Sequence, residues 1–285
     1  MRARGQRLLY AFVLCMVAMP LIVKYTLPPS RMRAAEELYK IVESIEIEEG
    51  DIALLALDFG PSTKAENEPQ ASAIIEHLMR RRIPFAVLTQ TAEGEGFLSS
   101  IPEDAAARLR EETGDTWVYG KDWVNLGYKV GKVQFLQGLA KSDDLTEYLA
   151  KDVYGTRLEY IPAFSKVKSI KQIKLLGEFT GLTGMFNMYV QFFQRDGYKP
   201  TFVHGCTSIT IPDAYIFLDS GQLHGLFEGF AGAAWYAELL AEAFPARAKG
   251  GVQLSNTALG VGHLTILFLI LVGNTVHFFG GKRRA

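Results

Sequence analysis

Asp58, Ser62 and Thr63 are the residues whose types and spacing could do chemistry. They close the run Asp51-Ile-Ala-Leu-Leu-Ala-Leu-Asp-Phe-Gly-Pro-Ser-Thr63. A carboxylate followed by two hydroxyls just past an apolar run could hold a metal, a ribose or a phosphate. The run has no G-x-G-x-x-G pattern and no P-loop lysine with a following serine or threonine, and Lys64 alone does not replace one. The competing reading is a capped turn in which Asp58 bonds loop amides.

A second grouping is His204-Gly205-Cys206-Thr207-Ser208. Two residues apart on an extended chain, His204 and Cys206 share a face, which suggests a nucleophile. An activating base usually comes from another strand, however, and a buried structural thiol is the default reading. His77 and His224 show no metal spacing with either. Two further clusters, Tyr119-Gly120-Lys121-Asp122 and Gly127-Tyr128-Lys129, combine glycine, an aromatic ring and a base. They read as turns or as contacts to an anionic ligand. The candidate ligand-binding set is therefore Asp58, Ser62, Thr63, Tyr128, Lys129 and Ser208. No metal set is indicated, and no cofactor is specified.

These residues need elements to position them. Ile52–Leu57 is an unbroken apolar run, too short to cross a bilayer and stopped by Asp58, Gly60 and Pro61. That is the pattern of a strand buried on both faces in an α/β sheet. Loops at the carboxyl ends of such strands form the usual crevice, which gives Asp58 its interest. A helix is expected over 68–82, opened by Asn67 and Gln70 as a capping box, with Ala71, Ile74, Ile75, Leu78 and Met79 inward. Residues 85–88 form the next strand, completing a right-handed βαβ unit. Further helices are expected at 102–112, 183–194 and 211–218, and strands at 122–128, 173–179 and 201–203. Residues 132–139 give a mixed signal, and 143–150 read as a short helix or lid. The methionines and aromatic rings of 185–193 read as core.

Gly221, Gly225, Gly229, Ala233 and Ala237 recur every four residues, with Gly232 beside them. On one helix they would form a stripe. Glycine costs roughly 1 kcal/mol against alanine in a helix, so several together imply a second backbone close by. Gly221, Gly225, Gly229, Gly232 and Ala233 are thus candidates for packing on the sheet or for contact with another subunit.

The 285 residues leave room for one domain of about 200 residues plus membrane segments. With 30 basic and 31 acidic residues there is no net field to attract nucleic acid. Two apolar segments lie near the ends, at 8–23 and 254–281. The first, flanked by Arg2, Arg4, Arg7 and Lys24, reads as an uncleaved anchor, because Val17-Ala18-Met19 is a poor cleavage site. The second, followed by Lys282, Arg283 and Arg284, reads as a transmembrane helix with a basic stop. The expected organisation is an anchor at 1–28, a juxtamembrane amphipathic helix within 29–50, an α/β domain at 51–250, a second span at 254–281 and a tail at 282–285. Both basic tails are placed in the cytoplasm and the domain outside it. Cys206 has no partner within the domain, since Cys15 lies in the anchor.

The segments 57–63, 119–129, 153–156 and 220–226 through 232–234 together resemble a family of uncharacterised bacterial and archaeal membrane proteins. The likeness covers roughly residues 51–240, with departures at Phe59-Gly60 and at Trp235. It implies a Rossmann-like, mostly parallel sheet with helices on both faces, held between N- and C-terminal transmembrane helices. No catalytic role comes with it. The expectation is a membrane-anchored, non-enzymatic assembly or scaffold component, with the lipid bilayer and a homo-oligomeric or complex partner as its contacts. The alternatives are a ligand-binding or sensory domain for a nucleotide or other anionic metabolite, and a hydrolase or transferase using Asp58 or Cys206.

Overall fold

A computed structural model of the chain describes residues 2–194, 199–247 and 250–280. In chain order the elements are α1 (Arg2–Val23), α2 (Arg33–Ser44), β1 (Ile52–Leu57), α3 (Lys64–Arg80), β2 (Phe85–Thr89), α4 (Phe97–Thr113) and β3 (Trp123–Tyr128). They continue as α5 (Val133–Lys141), α6 (Leu145–Leu149), β4 (Ile173–Thr180), α7 (Met185–Phe193), β5 (Thr201–Cys206), α8 (Ile211–Asp219), β6 (Gly225–Glu228), α9 (Gly229–Ala243) and α10 (Gly251–Gly280). The chain divides into two compact units, residues 31–247 and residues 1–30 with 248–285.

The larger unit is a six-stranded sheet in the order β3-β2-β1-β4-β5-β6, parallel throughout. All six residues of β1 are buried. Ala53, Leu55 and Leu57 face one layer, built from α2, α3, α4 and α9, while Ile52, Leu54 and Ala56 face another, with α5, α6, α7 and α8. The chain moves outward from β1 to β3, then crosses back through α5 and α6 to pair β4 with β1 on the other side. This is the doubly wound, Rossmann-like arrangement, and its direction reverses between β1 and β4.

Segment 132–139, mixed in sequence, is helix α5. Helix α3 starts at Lys64, earlier than the expected cap, so Asn67 and Gln70 are not a capping box. They lie inside the helix and face the sheet. Asn67 Nδ2 donates to the Gly205 carbonyl at 3.1 Å, and Gln70 Nε2 donates to the carbonyls of Cys206 at 2.7 Å and Gly229 at 3.0 Å.

The expected glycine stripe is not one helix. Gly221 sits in the turn after α8 with φ +72°, Gly225 opens β6, Gly229 starts α9 with φ +59°, and Gly232 and Ala233 lie within α9. The period of four arose from a turn, a strand start and a helix start that fall at that spacing. The close approach it implied is real and lies within the chain. A Cβ at Gly225 would lie 2.9 Å from Leu38 Cβ and 3.1 Å from Leu38 Cα, so α2 rests directly on β6. Gly225→Leu should therefore destabilise the fold by about 3 kcal/mol, read as a lower melting temperature and denaturant midpoint. A variant that melts like the parent would show that α2 yields easily.

Helix α2 buries Ala34, Ala35, Leu38 and Val42. Its own N-cap residue, Met32, offers no side-chain acceptor. Glu228 at the end of β6 does this instead, accepting from the amides of Ala34 at 3.3 Å and Ala35 at 3.1 Å, and from the Tyr215 hydroxyl at 2.9 Å. A carboxylate at a helix N-terminus is favoured by the dipole and by the unpaired amides there. Glu228→Ala should cost about 2 kcal/mol of unfolding free energy, measured by denaturant titration, and Glu228→Gln less.

In the smaller unit α1 and α10 pack together. The Leu27 amide donates to Thr257 Oγ1 at 2.9 Å, and a Cβ at Gly262 would be 3.4 Å from Val17 Cγ2. The stretches Gly5–Val23 and Gly251–Phe279 are long and apolar enough to cross a membrane, and Leu8, Ile22, Leu264, Phe268 and Leu271 are exposed on them. The basic tail at 282–285 lies outside the described residues.

Candidate functional site

Asp58 follows β1 at the point where the sheet reverses direction, and it is completely buried. Its amide donates to the Phe179 carbonyl at 2.9 Å. Its Oδ1 accepts from the Gln90 amide at 2.6 Å and from Thr89 Oγ1 at 3.2 Å, while Oδ2 accepts from the Tyr189 hydroxyl at 2.9 Å. Gln90 Nε2 donates to the same hydroxyl at 2.8 Å. The loop after β2 and helix α7 thus close over the carboxylate from two sides.

The register brings a second carboxylate to the same face. Ala56 pairs with Glu178, and Glu178 with His204, so their side chains stand in a row across β1, β4 and β5. Asp58 comes two residues after Ala56 and faces the same way. Glu178 is completely buried, and neither of its carboxylate oxygens accepts a hydrogen bond among the described residues. His204 Nδ1 lies 2.7 Å from Glu178 Oε2, but its hydrogen bond goes to the Glu178 carbonyl at 2.9 Å. Phe186 stacks on the imidazole, ring centres 4.2 Å apart.

Burial, reinforced by the charge of Glu178, pushes the Asp58 carboxyl up from 3.8 to about 7, against the pull of its hydrogen-bond donors. Burial also raises Glu178, with His204 opposing. Tyr189 is pushed well up by burial and by both carboxylates, so it remains a hydroxyl. Together Asp58, Glu178 and Tyr189 form a fully buried cluster in which burial favours protonated acids.

The loops above this cluster are filled by the protein's own side chains. A Cβ at Gly60 would collide with the Glu93 carboxylate, and one at Gly181 with Thr63 and with Thr207 Cγ2 at 2.7 Å. Ser208 is tied to Glu66, which accepts from its amide at 2.8 Å and its hydroxyl at 2.5 Å. Rossmann-type folds receive a pyrophosphate in the turn after the first strand and at the start of the following helix. Here Glu93 stands over that turn and Glu66 lies in the first turn of α3, which repels an anion.

Asp58 is buried at the end of β1, Thr63 packs over Gly181 in the loop after β4, Ser208 lies after β5 hydrogen-bonded to Glu66, and Ser62 is exposed in the loop after β1. Tyr128 and Lys129 come from a different strand end. They lie at the end of the outer strand β3, where the Lys129 amide donates to the Thr89 carbonyl at 2.8 Å and burial lowers the ammonium. Cys206 is buried, its thiol donates to the Phe227 carbonyl at 3.3 Å, and burial pushes it up to about 12. That is the state of an inert thiol rather than a nucleophile.

Sequence reasoning missed Glu178, Gln90 and Tyr189. The one signal available was an acid inside the otherwise apolar end of β4, in step with His204 on β5. Comparison with protein-family models, curated proteins and solved structures finds no match for this chain.

Proposed function

We propose that this chain is a non-enzymatic assembly module, an α/β body tethered to a lipid bilayer through both termini and serving as a component of a membrane complex. The filling of the crevice between β1 and β4 carries this reading. Thr63, Thr207 and Glu93 occupy the space a ligand would need, and Asp58 beneath them has no exposed surface. The inert environment of Cys206 is in accord with it. The membrane-capable stretches at both ends supply the tether. We place both tails in the cytoplasm and the domain across the membrane, on the strength of the arginines and lysine at the two ends. Membership of the resembled family of membrane-anchored Rossmann-like proteins is part of the same proposal.

Extraction of the full chain from native membranes in a mild detergent, followed by light scattering, tests the assembly. A discrete species heavier than one chain is expected, and a bare monomer under every mild condition would overturn it. Protease protection of the domain in intact spheroplasts tests the orientation, with digestion from outside expected.

A further inference from the structure

The cluster Tyr119-Gly120-Lys121-Asp122 has no part in that proposal, yet its tyrosine forms one wall of a built cleft. A cavity of about 230 Å³ lies between α4 and the start of β3, against Trp117, Tyr119, Trp123 and Tyr154. Tyr119 meets Trp123 edge-on, centres 4.9 Å apart at 90°, and meets Tyr154 likewise, 5.1 Å apart at 82°. Tyr119 and Trp117 are held in place by hydrogen bonds. The Tyr119 hydroxyl donates to Asp152 Oδ2 at 2.8 Å, and Trp117 Nε1 donates to the Met79 carbonyl at 3.0 Å. Arg82 covers a face of Trp117 at 4.3 Å.

The opposite wall is one face of α4. Ala106 and Ala107 leave the middle open, with Glu103 at one end and Arg110 at the other. Two helical turns separate these charges, about 10 Å along the axis. Neither side chain has an ion pair or hydrogen bond among the described residues, and both are exposed. A concave site lined by aromatic rings with a few polar groups at its ends is a usual form of a small-molecule site.

We infer that this cleft binds a small aryl carboxylate. The ring lies against Tyr119, Trp123 and Tyr154, the carboxylate reaches Arg110, and a hydrogen-bond donor at the far end of the ligand reaches Glu103. Arginine suits the carboxylate because its planar fork matches two oxygens at once. This site is separate from Asp58 and stands whether or not the assembly reading holds.

The test uses the full chain in lipid nanodiscs, titrated with para-hydroxyphenylacetate. Trp117 and Trp123 are two of the chain's 3 tryptophans, so selectively excited tryptophan fluorescence reports the cleft. A saturable change with a Kd below about 1 mM is expected. Para-cresol, which lacks the carboxylate, and the exposed-site variant Arg110→Gln should each weaken binding roughly tenfold or more. Ala107→Phe, which fills the slot, should abolish it. No saturation, an unchanged Kd in Arg110→Gln, or tighter binding of tyramine than of the acid would each overturn the assignment, the last by showing that the rings and Glu103 read a cation.

Discussion

Asp58→Asn should raise the melting temperature at neutral and alkaline pH and leave it nearly unchanged only below about pH 4. The carboxyl stands at 3.8 ordinarily and at about 7 in the fold. Between those values the folded chain holds a proton that the unfolded chain releases. Wild-type stability is thus fully present at low pH and falls as pH rises through about 7. Above that, the fold bears an ionised buried carboxylate beside Glu178. The shift corresponds to a cost on the order of 4 kcal/mol at the alkaline end, less whatever the changed hydrogen bond to Tyr189 removes from the gain. Asparagine keeps an acceptor for the Gln90 amide and carries no charge.

His77 provides an internal control. It is buried between Tyr236, at 2.6 Å from Nδ1, and Glu43, at 2.8 Å from Nε2. Burial lowers it from 6.5 to about 4, outweighing the pull of Glu43. Its contribution is fully present above about 6.5 and is lost as pH falls through about 4. Melting curves of both proteins between about pH 4 and 9 should lie together near pH 4, separate progressively as pH rises to about 7, and stay apart by a constant margin above it. Parallel curves would mean that Asp58 is ionised at no cost in the fold.

Glu76→Ala should be the most damaging single change in the larger unit, at about 3–5 kcal/mol. Glu76 is only 4% exposed, at the meeting of α3 with the segment after α9. Its oxygens accept from Arg247 Nε at 2.7 Å, from Arg247 Nη2 at 3.0 Å and from Arg80 Nη2 at 2.8 Å. Burial alone would raise this carboxyl, but the two guanidinium groups hold it below its usual range. After truncation Arg80 still has Glu112, whereas the Arg247 guanidinium keeps only the Ala237 carbonyl among the described residues. A half-buried guanidinium without its counterion makes the loss large. Denaturant unfolding of Glu76→Ala, Arg247→Ala and the double variant measures it, and the double variant should be less damaged than the sum of the singles. Strict additivity would show that the two do not interact.

The sequence made β1, the α/β class and the two membrane-capable stretches legible, because continuous apolar runs and their abrupt stops record burial directly. β6 was hidden by the glycine that opens it and the one that follows it. At Gly225 the residue type answers to the approach of Leu38, and the preference of a strand for branched side chains is overridden. The start of α3 was displaced because Asn67 and Gln70, good capping types, face β5 instead. The partners of Asp58 were illegible for another reason. Glu178, Gln90 and Tyr189 reach it through strand register and helix docking, which no local pattern encodes. The close fit of Thr63 and Thr207 over Gly181 likewise appears only when three loops are seen together.

The cap that Glu228 places on α2 bears on the order in which the chain matures. Those contacts join positions 194 and 193 residues apart. During synthesis the helix at 33–44 leaves the ribosome long before strand 225–228 exists. Its apolar stripe of Ala34, Ala35, Leu38 and Val42 must wait uncovered, a sticky amphipathic surface. The first helix of the body is among the last to find its seat, and a nascent chain halted before residue 225 would carry that surface with nothing to receive it.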